Sequence, residues 1–236
     1  MASFTNKMIP YGKQDISNDD ITAVINVLKS DYITQGPKVV EFEEAIANSC
    51  QAQFGIATNS ATSALHISCL SLGVTTGDIV WTSPISFVAS ANCALYCGAS
   101  VDFVDIDINS GNICISALKQ KLQEAEQENR LPKAIIVVHL AGQSCLMEEI
   151  YFLSKIYNFY IIEDASHAIG AKYQNKPVGN CQYSDITVFS FHPVKIITSA
   201  EGGIALTNCE KLAKKLRVLR SHGVVSDSES MTEASH

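Results

Sequence analysis

The feature that most constrains the fold is an uninterrupted run of mainly apolar residues at positions 134–139, AIIVVH. The run is rich in β-branched side chains and shows no alternation of polar and apolar residues, which is typical of a strand buried on both faces. Such strands occur where helices cover both sides of a sheet. The run therefore predicts an interior strand of a layered α/β fold.

Strand-like and helix-like segments alternate along the chain. Short apolar runs predict strands at residues 54–58, 79–82, 101–104, 134–139, 160–162, 186–190 and 203–207. Apolar residues at helical spacing, with helix-start and helix-stop residues, predict helices that begin near residues 18 and 37 and that cover residues 61–72, 87–96, 116–128, 147–157 and 209–220. This order predicts a three-layer α/β/α fold with a mostly parallel sheet.

Polar or turn-forming residues close or follow several of the predicted strands. They are Asn59, Pro84, His139, Asp164 and Ser190. In mostly parallel sheets, ligands bind beyond the carboxyl ends of the strands. We therefore expect these positions to converge on one site.

The composition limits the partners. The chain has 236 residues, 47% of them hydrophobic, and no linker-like stretch interrupts its interior, so we expect one large domain. A formal net charge of -7 disfavours nucleic acid and anionic membranes as partners, because both would repel the protein. No apolar run approaches the ~20 residues of a membrane span, and residues 1–7 lack the apolar stretch of a signal peptide. We therefore expect a soluble, cytoplasmic protein.

Eight cysteines are scattered along the chain without a Cys-x-x-Cys pair. No histidine or second cysteine pair completes a metal-binding set around Cys93 and Cys97, so we expect no metal site. Most of the cysteines lie in apolar segments and are expected to be buried, reduced thiols. Asp105 and Asp107 are another candidate pair for metal or acid–base chemistry, but the following Asn109-Ser110-Gly111 favours a turn.

Three stretches carry the residue types that one cofactor requires. Lys195 ends SFHPVK, Asp164 closes an apolar strand in EDASHA (163–168), and NSATSAL (59–65) opens a helix with small residues. A lysine amine can form a Schiff base with pyridoxal phosphate, an aspartate can pair with its pyridine nitrogen, and a helix start can bind its phosphate. No glycine-rich loop of the dinucleotide or nucleoside-triphosphate type is present in the sequence. The sequence therefore predicts a pyridoxal-phosphate site.

Seven stretches resemble one known family and occur in its order. They are ITQGP (33–37), NSATSALH (59–66), SPISFVASAN (83–92), HLAGQ (139–143), EDASHAIG (163–170), SFHPVK (190–195) and EGG (201–203). The chain resembles the DegT/DnrJ/EryC1/StrS sugar aminotransferases, of fold type I among the pyridoxal-phosphate enzymes. The resemblance implies the large domain of such an enzyme, pyridoxal phosphate as cofactor, and a homodimer with its site between the subunits.

The pairing of NSATSAL with PISFVASAN, followed by DINSGNI at 107–113, is similar to a subgroup of the pseudaminic acid pathway. This resemblance implies transfer of an amino group from glutamate to C4 of a UDP-linked 4-keto-6-deoxy-N-acetylhexosamine. Another nucleotide-linked keto-sugar is the alternative substrate. A sugar dehydratase of the same fold is disfavoured, because those enzymes replace the lysine that Lys195 retains.

The resemblance also implies domain boundaries. Residues 1–225 correspond to the large cofactor-binding domain with an N-terminal helical segment, and the polar residues 226–236 are expected to be a disordered tail. The family's smaller carboxyl-terminal domain has no counterpart here, so we expect the chain to be a fragment. A fragment that is inactive, or that binds only the cofactor, is therefore an alternative function.

The resemblance gives two residues the central roles. Lys195 carries the cofactor and moves a proton between it and the substrate carbon, whereas position alone would favour a surface lysine at a strand end. Asp164 pairs with the pyridine nitrogen and keeps the ring cationic. A helix N-cap before residues 165–167 is the alternative for Asp164, and both interpretations can hold together.

Three further predicted cofactor residues are small or carry a hydroxyl group. Ala61 and Thr62 are the candidates for phosphate binding, because a helix start offers free N–H groups. Ser190 is a further donor by the family match. Simple capping of the helix by Ser60 and Thr62 is the alternative interpretation.

Five further residues are assigned from the resemblance. Phe87 stacks on the cofactor ring, although a core aromatic is the usual role of a Phe. Gln143 approaches the opposite face or the ring oxygen, or is a turn residue. His167 hydrogen-bonds the ring oxygen or a phosphate-side water, or is a structural histidine. Thr34 and Gln35 border the sugar site, or form a plain turn before a helix that starts with proline.

Overall fold

A computed structural model describes residue 10 and residues 12–224. The predicted tail, residues 226–236, lies outside the described residues, and the domain boundary at residue 225 therefore stays a prediction.

Regular structure covers most of residues 12–224. The α-helices are α1 (Asn18–Leu28), α2 (Pro37–Cys50), α3 (Ala61–Ser71), α4 (Ala89–Tyr96), α5 (Ile115–Gln127), α6 (Met147–Tyr157) and α7 (Glu210–Arg220). The strands are β1 (Phe54–Thr58), β2 (Ile79–Thr82), β3 (Ser100–Phe103), β4 (Ala134–Val138), β5 (Tyr160–Asp164), β6 (Lys172–Tyr173), β7 (Lys176–Pro177), β8 (Ile186–Ser190) and β9 (Gly203–Thr207). None of the described helices is long and apolar enough to cross a membrane.

Seven strands form one twisted layer in the order β1-β9-β8-β5-β4-β2-β3. The five strands from β8 to β3 are parallel to their neighbours, whereas β9 runs antiparallel to both β1 and β8. The two short strands β6 and β7 form a separate hairpin. The carboxyl ends of β4, β5 and β8 therefore lie side by side at one edge of the sheet.

Helices cover both faces of the sheet, because its central strands are apolar on both sides. In β4, Ile135 and Val137 are buried in one cluster with α5 and α6, whereas Ala134 and Ile136 are buried in another with α3, α4 and α7. All four side chains are fully buried. The three-layer α/β/α class with a mostly parallel sheet, predicted from this run, is confirmed.

A glycine at the start of β9 determines how closely α3 approaches the sheet. Gly203 pairs with Thr58 at the end of β1 and with Ser190 at the end of β8. A Cβ atom at residue 203 would lie 2.5 Å from the backbone nitrogen of Ala61 and closer still to the carbonyl carbon of Ser60. The absence of a side chain therefore lets the start of α3 lie against β9, beside the end of β8.

Most predicted elements are present, with shifts of one or two residues at their ends. The strand predicted at residues 160–162 continues through Asp164, because its ladder with β4 extends to the pair Val138–Asp164. The helix predicted from residue 87 begins at Ala89. The hairpin of β6 and β7 was not predicted, since strands of two residues leave no recognisable pattern.

The first helix carries the predicted apolar stripe, but that stripe is exposed. Ile21, Val24, Ile25 and Leu28 are between 41% and 67% exposed, and no residue of α1 is buried by other described residues. Its N-terminus is a complete capping box, in which Ser17 and Asp20 bind each other's backbone N–H groups. Local capping and helical propensity therefore define α1, without burial of its apolar face in the described part of the chain.

Candidate active site

A cleft of about 630 Å³ opens at the carboxyl ends of β4, β5 and β8. Small-molecule sites generally have volumes of roughly 300–1,000 Å³. The first turn of α3, the loop before α4 and the loop after β8 form its walls. Its place at the carboxyl edge of a mostly parallel sheet is the place where ligands bind in such folds.

The structure brings seven of the ten predicted site residues to this cleft. They are Ala61, Thr62, Phe87, Asp164, His167, Ser190 and Lys195. The other three, Thr34, Gln35 and Gln143, do not line it. Two strand-end positions that were expected to converge on the site, Asn59 and Pro84, do not line it either.

Lys195 lies in the loop after β8, in a turn closed by its own N–H, which donates to the carbonyl of His192 at 2.9 Å. The side chain is half-buried, so it is not the freely exposed lysine of the alternative interpretation. Burial lowers the pKa of its amine, and the charge of Asp164 acts in the opposite direction. A lowered pKa increases the fraction of neutral, nucleophilic amine at a given pH.

His167 is the hydrogen-bond partner of Lys195. Its Nε2 lies 2.6 Å from the Nζ of Lys195. Burial lowers the pKa of the imidazole, the charge of Lys195 lowers it further, and the charge of Asp164 acts against both. A neutral imidazole can accept a hydrogen bond from the amine. Gly142 permits this arrangement, since a Cβ there would lie 2.5 Å from the carbonyl oxygen of His167.

Asp164 ends β5, and its carboxylate is buried beside the cleft. Its Oδ1 accepts hydrogen bonds from the N–H and the hydroxyl of Ser166, at 3.2 and 2.6 Å. Its Oδ2 accepts one from the hydroxyl of Ser90 at 2.6 Å. Residues 165–170 form turns, so the helix of the N-cap interpretation is absent there, although Asp164 does cap the turn that follows it.

The start of α3 presents free backbone N–H groups to the cleft. Ser60 is the N-cap: its hydroxyl accepts from the N–H of Ser63 at 3.1 Å, and its carbonyl accepts from the N–H of Ala64. The N–H groups of Ala61 and Thr62 have no acceptor among the described residues. Capping therefore belongs to Ser60, and the next two residues are available to an anion.

Phe87 lies at the mouth of the cleft, and Ser190 lies at its base. Phe87 is 72% exposed, so the interpretation as a core aromatic is wrong. An exposed aromatic ring at a cleft can stack on a planar ligand. Ser190 is the last residue of β8, and its Oγ accepts a hydrogen bond from the N–H of His192 at 3.4 Å. This contact leaves the hydroxyl proton of Ser190 available to a ligand.

The predicted residues outside the cleft have turn roles. The N–H of Gln143 donates to the carbonyl of Leu140, and its carbonyl accepts from the side chain of Asn112 at 3.0 Å. Thr34 and Gln35 are exposed in the bends before α2. The positions fit the turn alternatives, and the predicted contacts of these three residues with cofactor or sugar stay predictions.

Two serines without a recognisable sequence signal reach the site from the α4 side. Ser90 lies in α4, is fully buried, and donates to Asp164. Ser86 lines the cleft, and its Oγ lies 2.6 Å from that of Ser90. They lie four residues apart in SPISFVASAN, Ser86 in the bend before α4 and Ser90 within that helix.

Glu163 points to the opposite side of β5 from Asp164, as its position in the strand predicts. Its carboxylate lies 2.7 Å from the Nε2 of His139 and accepts hydrogen bonds from Thr187 and Ser184. The N–H of Cys145 donates to Nδ1 of His139, which places the ring proton on Nε2. Burial works to raise the pKa of Glu163, but the hydrogen bond and electrostatic interaction with His139, with the hydrogen bonds from Ser184 and Thr187, keep that pKa below its usual value. The network anchors the loop after β4 beneath the cleft.

No group of three or more His, Cys, Asp or Glu side chains has a metal-binding arrangement among the described residues. The carboxylate of Asp107 accepts hydrogen bonds from the N–H groups of Asn109 and Ser110, which confirms the turn interpretation for Asp107. All eight cysteines are free thiols, five of them buried, while Cys209 is exposed.

Comparisons with known proteins agree with this arrangement. The model of the DegT/DnrJ/EryC1/StrS aminotransferase family matches residues 14–236. A UDP-4-amino-4,6-dideoxy-N-acetyl-beta-L-altrosamine transaminase from Campylobacter jejuni subsp. jejuni serotype O:2 is 46% identical over 218 residues, 92% of this chain. The chain spans 56% of the length of that relative.

Solved structures show the same similarity. Helicobacter pylori PseC, an aminotransferase involved in the biosynthesis of pseudoaminic acid, matches with a TM-score of 0.87 and 37% identity over 98% of this chain and 60% of that chain. The PLP-form of the putative sugar aminotransferase Spr1654 from Streptococcus pneumoniae matches with a TM-score of 0.82 and 30% identity, over 93% of this chain and 59% of that one.

Proposed function

The chain belongs to the DegT/DnrJ/EryC1/StrS aminotransferase family, and from that premise we propose that it binds pyridoxal phosphate in the cleft and transfers amino groups to a nucleotide-linked keto-sugar. One observation carries the proposal: Lys195, Asp164 and the start of α3 line the same cleft, although they lie far apart in the sequence. A lysine amine, a buried carboxylate and an anion-binding helix start are the groups that this cofactor requires.

The cleft offers residues for the phosphate, the ring nitrogen and one ring face of the cofactor. The free N–H groups of Ala61 and Thr62, with the hydroxyl of Ser190, provide donors for the phosphate. Asp164 provides an anion for the protonated ring nitrogen, and Phe87 an aromatic surface for one ring face. The PLP-form of the related Spr1654 supports this choice of cofactor.

The bound cofactor would supply an aldehyde that reacts with amines and a ring that accepts the electron pair released at a substrate carbon. With the cofactor bound, the Nζ of Lys195 would hold it covalently, and the same amine would serve as the base that moves a proton at the substrate carbon. A neutral His167 can accept a hydrogen bond at Nε2 from the Nζ of Lys195 and so orient that amine. Asp164 would hold a proton on the ring nitrogen.

The name of the Campylobacter relative supports a specific substrate. We propose that the acceptor is a UDP-linked 4-keto-6-deoxy-N-acetylhexosamine, aminated at C4, since that enzyme is a UDP-4-amino-4,6-dideoxy-N-acetyl-beta-L-altrosamine transaminase. Glutamate is the proposed donor, as the family resemblance implies. A homodimer with a shared site and a cytoplasmic location belong to the same proposal. Eight free thiols are consistent with a reducing compartment.

An isotope-transfer assay tests this function. The chain, loaded with pyridoxal phosphate, is mixed with ¹⁵N-glutamate and the UDP-linked 4-keto-6-deoxy-N-acetylhexosamine, and the sugar is analysed by mass spectrometry. We expect ¹⁵N in the amino sugar, and a loss of at least roughly 10³-fold in the Lys195→Ala chain, because the covalent attachment point is removed.

Two other outcomes would identify the alternatives. A chain that carries the cofactor on Lys195 but transfers no ¹⁵N would be a fragment that binds only the cofactor. Transfer to a TDP-linked keto-sugar, without transfer to the UDP-linked one, would contradict the proposed substrate and retain the reaction.

A further inference from the structure

A path of two hydroxyl groups connects the wall of the cleft with Asp164. The hydroxyl of Ser90, which is fully buried in α4, lies 2.6 Å from the Oδ2 of Asp164. The hydroxyl of Ser86, which lines the cleft, lies 2.6 Å from that of Ser90. Ser90 and Asp164 are 74 residues apart in the chain, so their contact joins α4 to the end of β5.

The carboxylate determines the direction of these hydrogen bonds. An ionised carboxylate only accepts, so the proton of Ser90 must point to Asp164. Ser90 then accepts its second hydrogen bond from Ser86. The other acceptor near Ser86, the carbonyl of Phe87, is farther away at 3.2 Å. Both hydroxyl dipoles are therefore oriented toward the carboxylate.

The two oxygens of Asp164 differ in the number of donors they already have. Among the described residues, Oδ1 accepts two hydrogen bonds, both from Ser166, whereas Oδ2 accepts one, from Ser90. A carboxylate oxygen has two lone-pair positions, so Oδ2 retains one. The side chain lines the cleft, and a ligand N–H can use this remaining position.

We propose that Ser90 is a positioning residue for cofactor binding: it holds Oδ2 of Asp164 in the orientation that receives the ring nitrogen, and Ser86 supports Ser90. The inference rests on the proposed function, because the ring nitrogen belongs to pyridoxal phosphate. Ser166 acts on the other oxygen from within the same turn, whereas Ser90 acts from a separate helix. Loss of Ser90 therefore leaves Oδ2 buried without its donor.

Three substitutions test how much the hydroxyl groups of Ser90 and Ser86 contribute to the binding of pyridoxal phosphate. Hydrogen bonds to charged groups are among the stronger ones in proteins, so we expect Ser90→Ala to weaken binding of pyridoxal phosphate about tenfold. Ser86→Ala should weaken it only about twofold to threefold, because Ser90 still donates to Asp164. Ser90→Thr retains the hydroxyl and should bind within about threefold of the parent chain.

The experiment titrates each full chain with pyridoxal phosphate and follows the visible absorption band. Borohydride reduction and peptide mass then check that the cofactor is attached to Lys195. The matched control is Ser68→Ala, which removes another fully buried serine hydroxyl, one that donates to the carbonyl of Ala64 in α3. Melting temperatures without cofactor show whether the variants are equally folded.

Each outcome supports or overturns the inference. Weaker binding in Ser90→Ala than in Ser68→Ala, at similar melting temperatures and with rescue by Ser90→Thr, supports it. Equal affinities of Ser90→Ala and Ser68→Ala overturn it and leave the proposed function standing if the parent chain is labelled at Lys195. Equal losses in Ser90→Ala and Ser90→Thr assign Ser90 a packing role and also overturn it. A parent chain that takes up no cofactor overturns the proposed function, and the inference with it.

Discussion

Among single residues, Lys195 shows most clearly how the fold adjusts chemical reactivity. Its amine is half-buried next to His167, and burial lowers its pKa while the charge of Asp164 acts against that change. An amine reacts with an aldehyde only in its neutral form. The surrounding residues therefore extend the reactivity of Lys195 to lower pH than that of an exposed lysine.

Burial and the charge of Asp164 act in opposite directions on the pKa of Lys195, so the substitution Asp164→Asn should shift that pKa in a known direction. Removal of the carboxylate charge should lower the pKa of Lys195 further, because the anion that favours the protonated amine is lost. The amine is neutral above its pKa, so its acetylation by acetic anhydride should begin at lower pH. The measurement is the pH dependence of Lys195 labelling, followed by peptide mass without cofactor.

A distant carboxylate provides the control for this titration. Asp105→Asn should leave the labelling midpoint of Lys195 unchanged, because Asp105 does not line the cleft. A midpoint that rises in Asp164→Asn, or that shifts equally in both variants, would contradict the assigned role of the Asp164 charge.

The chemistry of single residues could be predicted where the residue type is unusual for its position. Lys195 and Asp164 stand next to apolar strands, and both line the cleft. Ser90 could not be predicted, because its importance depends on a partner 74 residues away. The exposure of Phe87 could not be predicted from composition either, since most aromatic side chains are buried.

Among the elements, the contact of α3 with β9 determines the geometry of the proposed phosphate site. The first turn of α3 lies against Gly203, where a Cβ atom would lie 2.5 Å from the nitrogen of Ala61. The atoms that an added Cβ would contact belong to the backbone of Ser60 and Ala61. Backbone atoms cannot move aside as the end of a long side chain can. The free N–H groups of α3 therefore depend on glycine at this position.

Gly203→Ala is expected to lower the free energy of unfolding by about 1–3 kcal/mol, because the added methyl overpacks this contact. It should also displace the start of α3 and weaken binding of the cofactor phosphate. The measurements are denaturant unfolding and the affinities for pyridoxal phosphate and for pyridoxal, which lacks the phosphate. We expect a larger loss for pyridoxal phosphate.

Gly55→Ala separates stability from phosphate binding. Its Cβ would lie 2.7 Å from the carbonyl oxygen of Glu43, toward the end of β1 opposite to the one that leads into the start of α3. This variant should be destabilised but retain the parent ratio of the two affinities. The same retained ratio in Gly203→Ala would contradict the role of the α3 start.

Helices and strands with a strong local sequence pattern could be predicted, but the direction of each strand in the sheet could not. The predicted strands at residues 186–190 and 203–207 coincide with β8 and β9. An apolar run does not encode the direction of a strand, so the antiparallel β9 could not be predicted. The apolar stripe of α1 predicted the helix, but whether that stripe is buried depends on a partner that the pattern does not identify.

At the scale of the whole molecule, the order of the strands in the sheet brings the residues of the site together. β5 lies between β4 and β8, and the loops after these three strands meet at one edge. Alternating strands and helices predict the fold class, but they do not determine which strands are neighbours. The resemblance to a known family implied which residues share a site, and the cleft brings together seven of those ten residues.

The chain spans 56% of the length of its Campylobacter relative. The transaminase activity in that relative's name therefore belongs to a protein longer than this chain. Cofactor attachment requires fewer groups. Lys195, His167, Asp164 and the start of α3 all lie within the described residues and line one cleft. Attachment at Lys195 is therefore the central claim that this chain can test by itself.

The most direct measurement is to mix the folded chain with pyridoxal phosphate, record its visible spectrum, reduce with borohydride and locate the label by peptide mass. We expect a visible band and a label on Lys195, lost in Lys195→Ala but kept in Lys214→Ala, which removes an exposed lysine of α7. A folded chain without the band, or with its label on another lysine, would contradict the account.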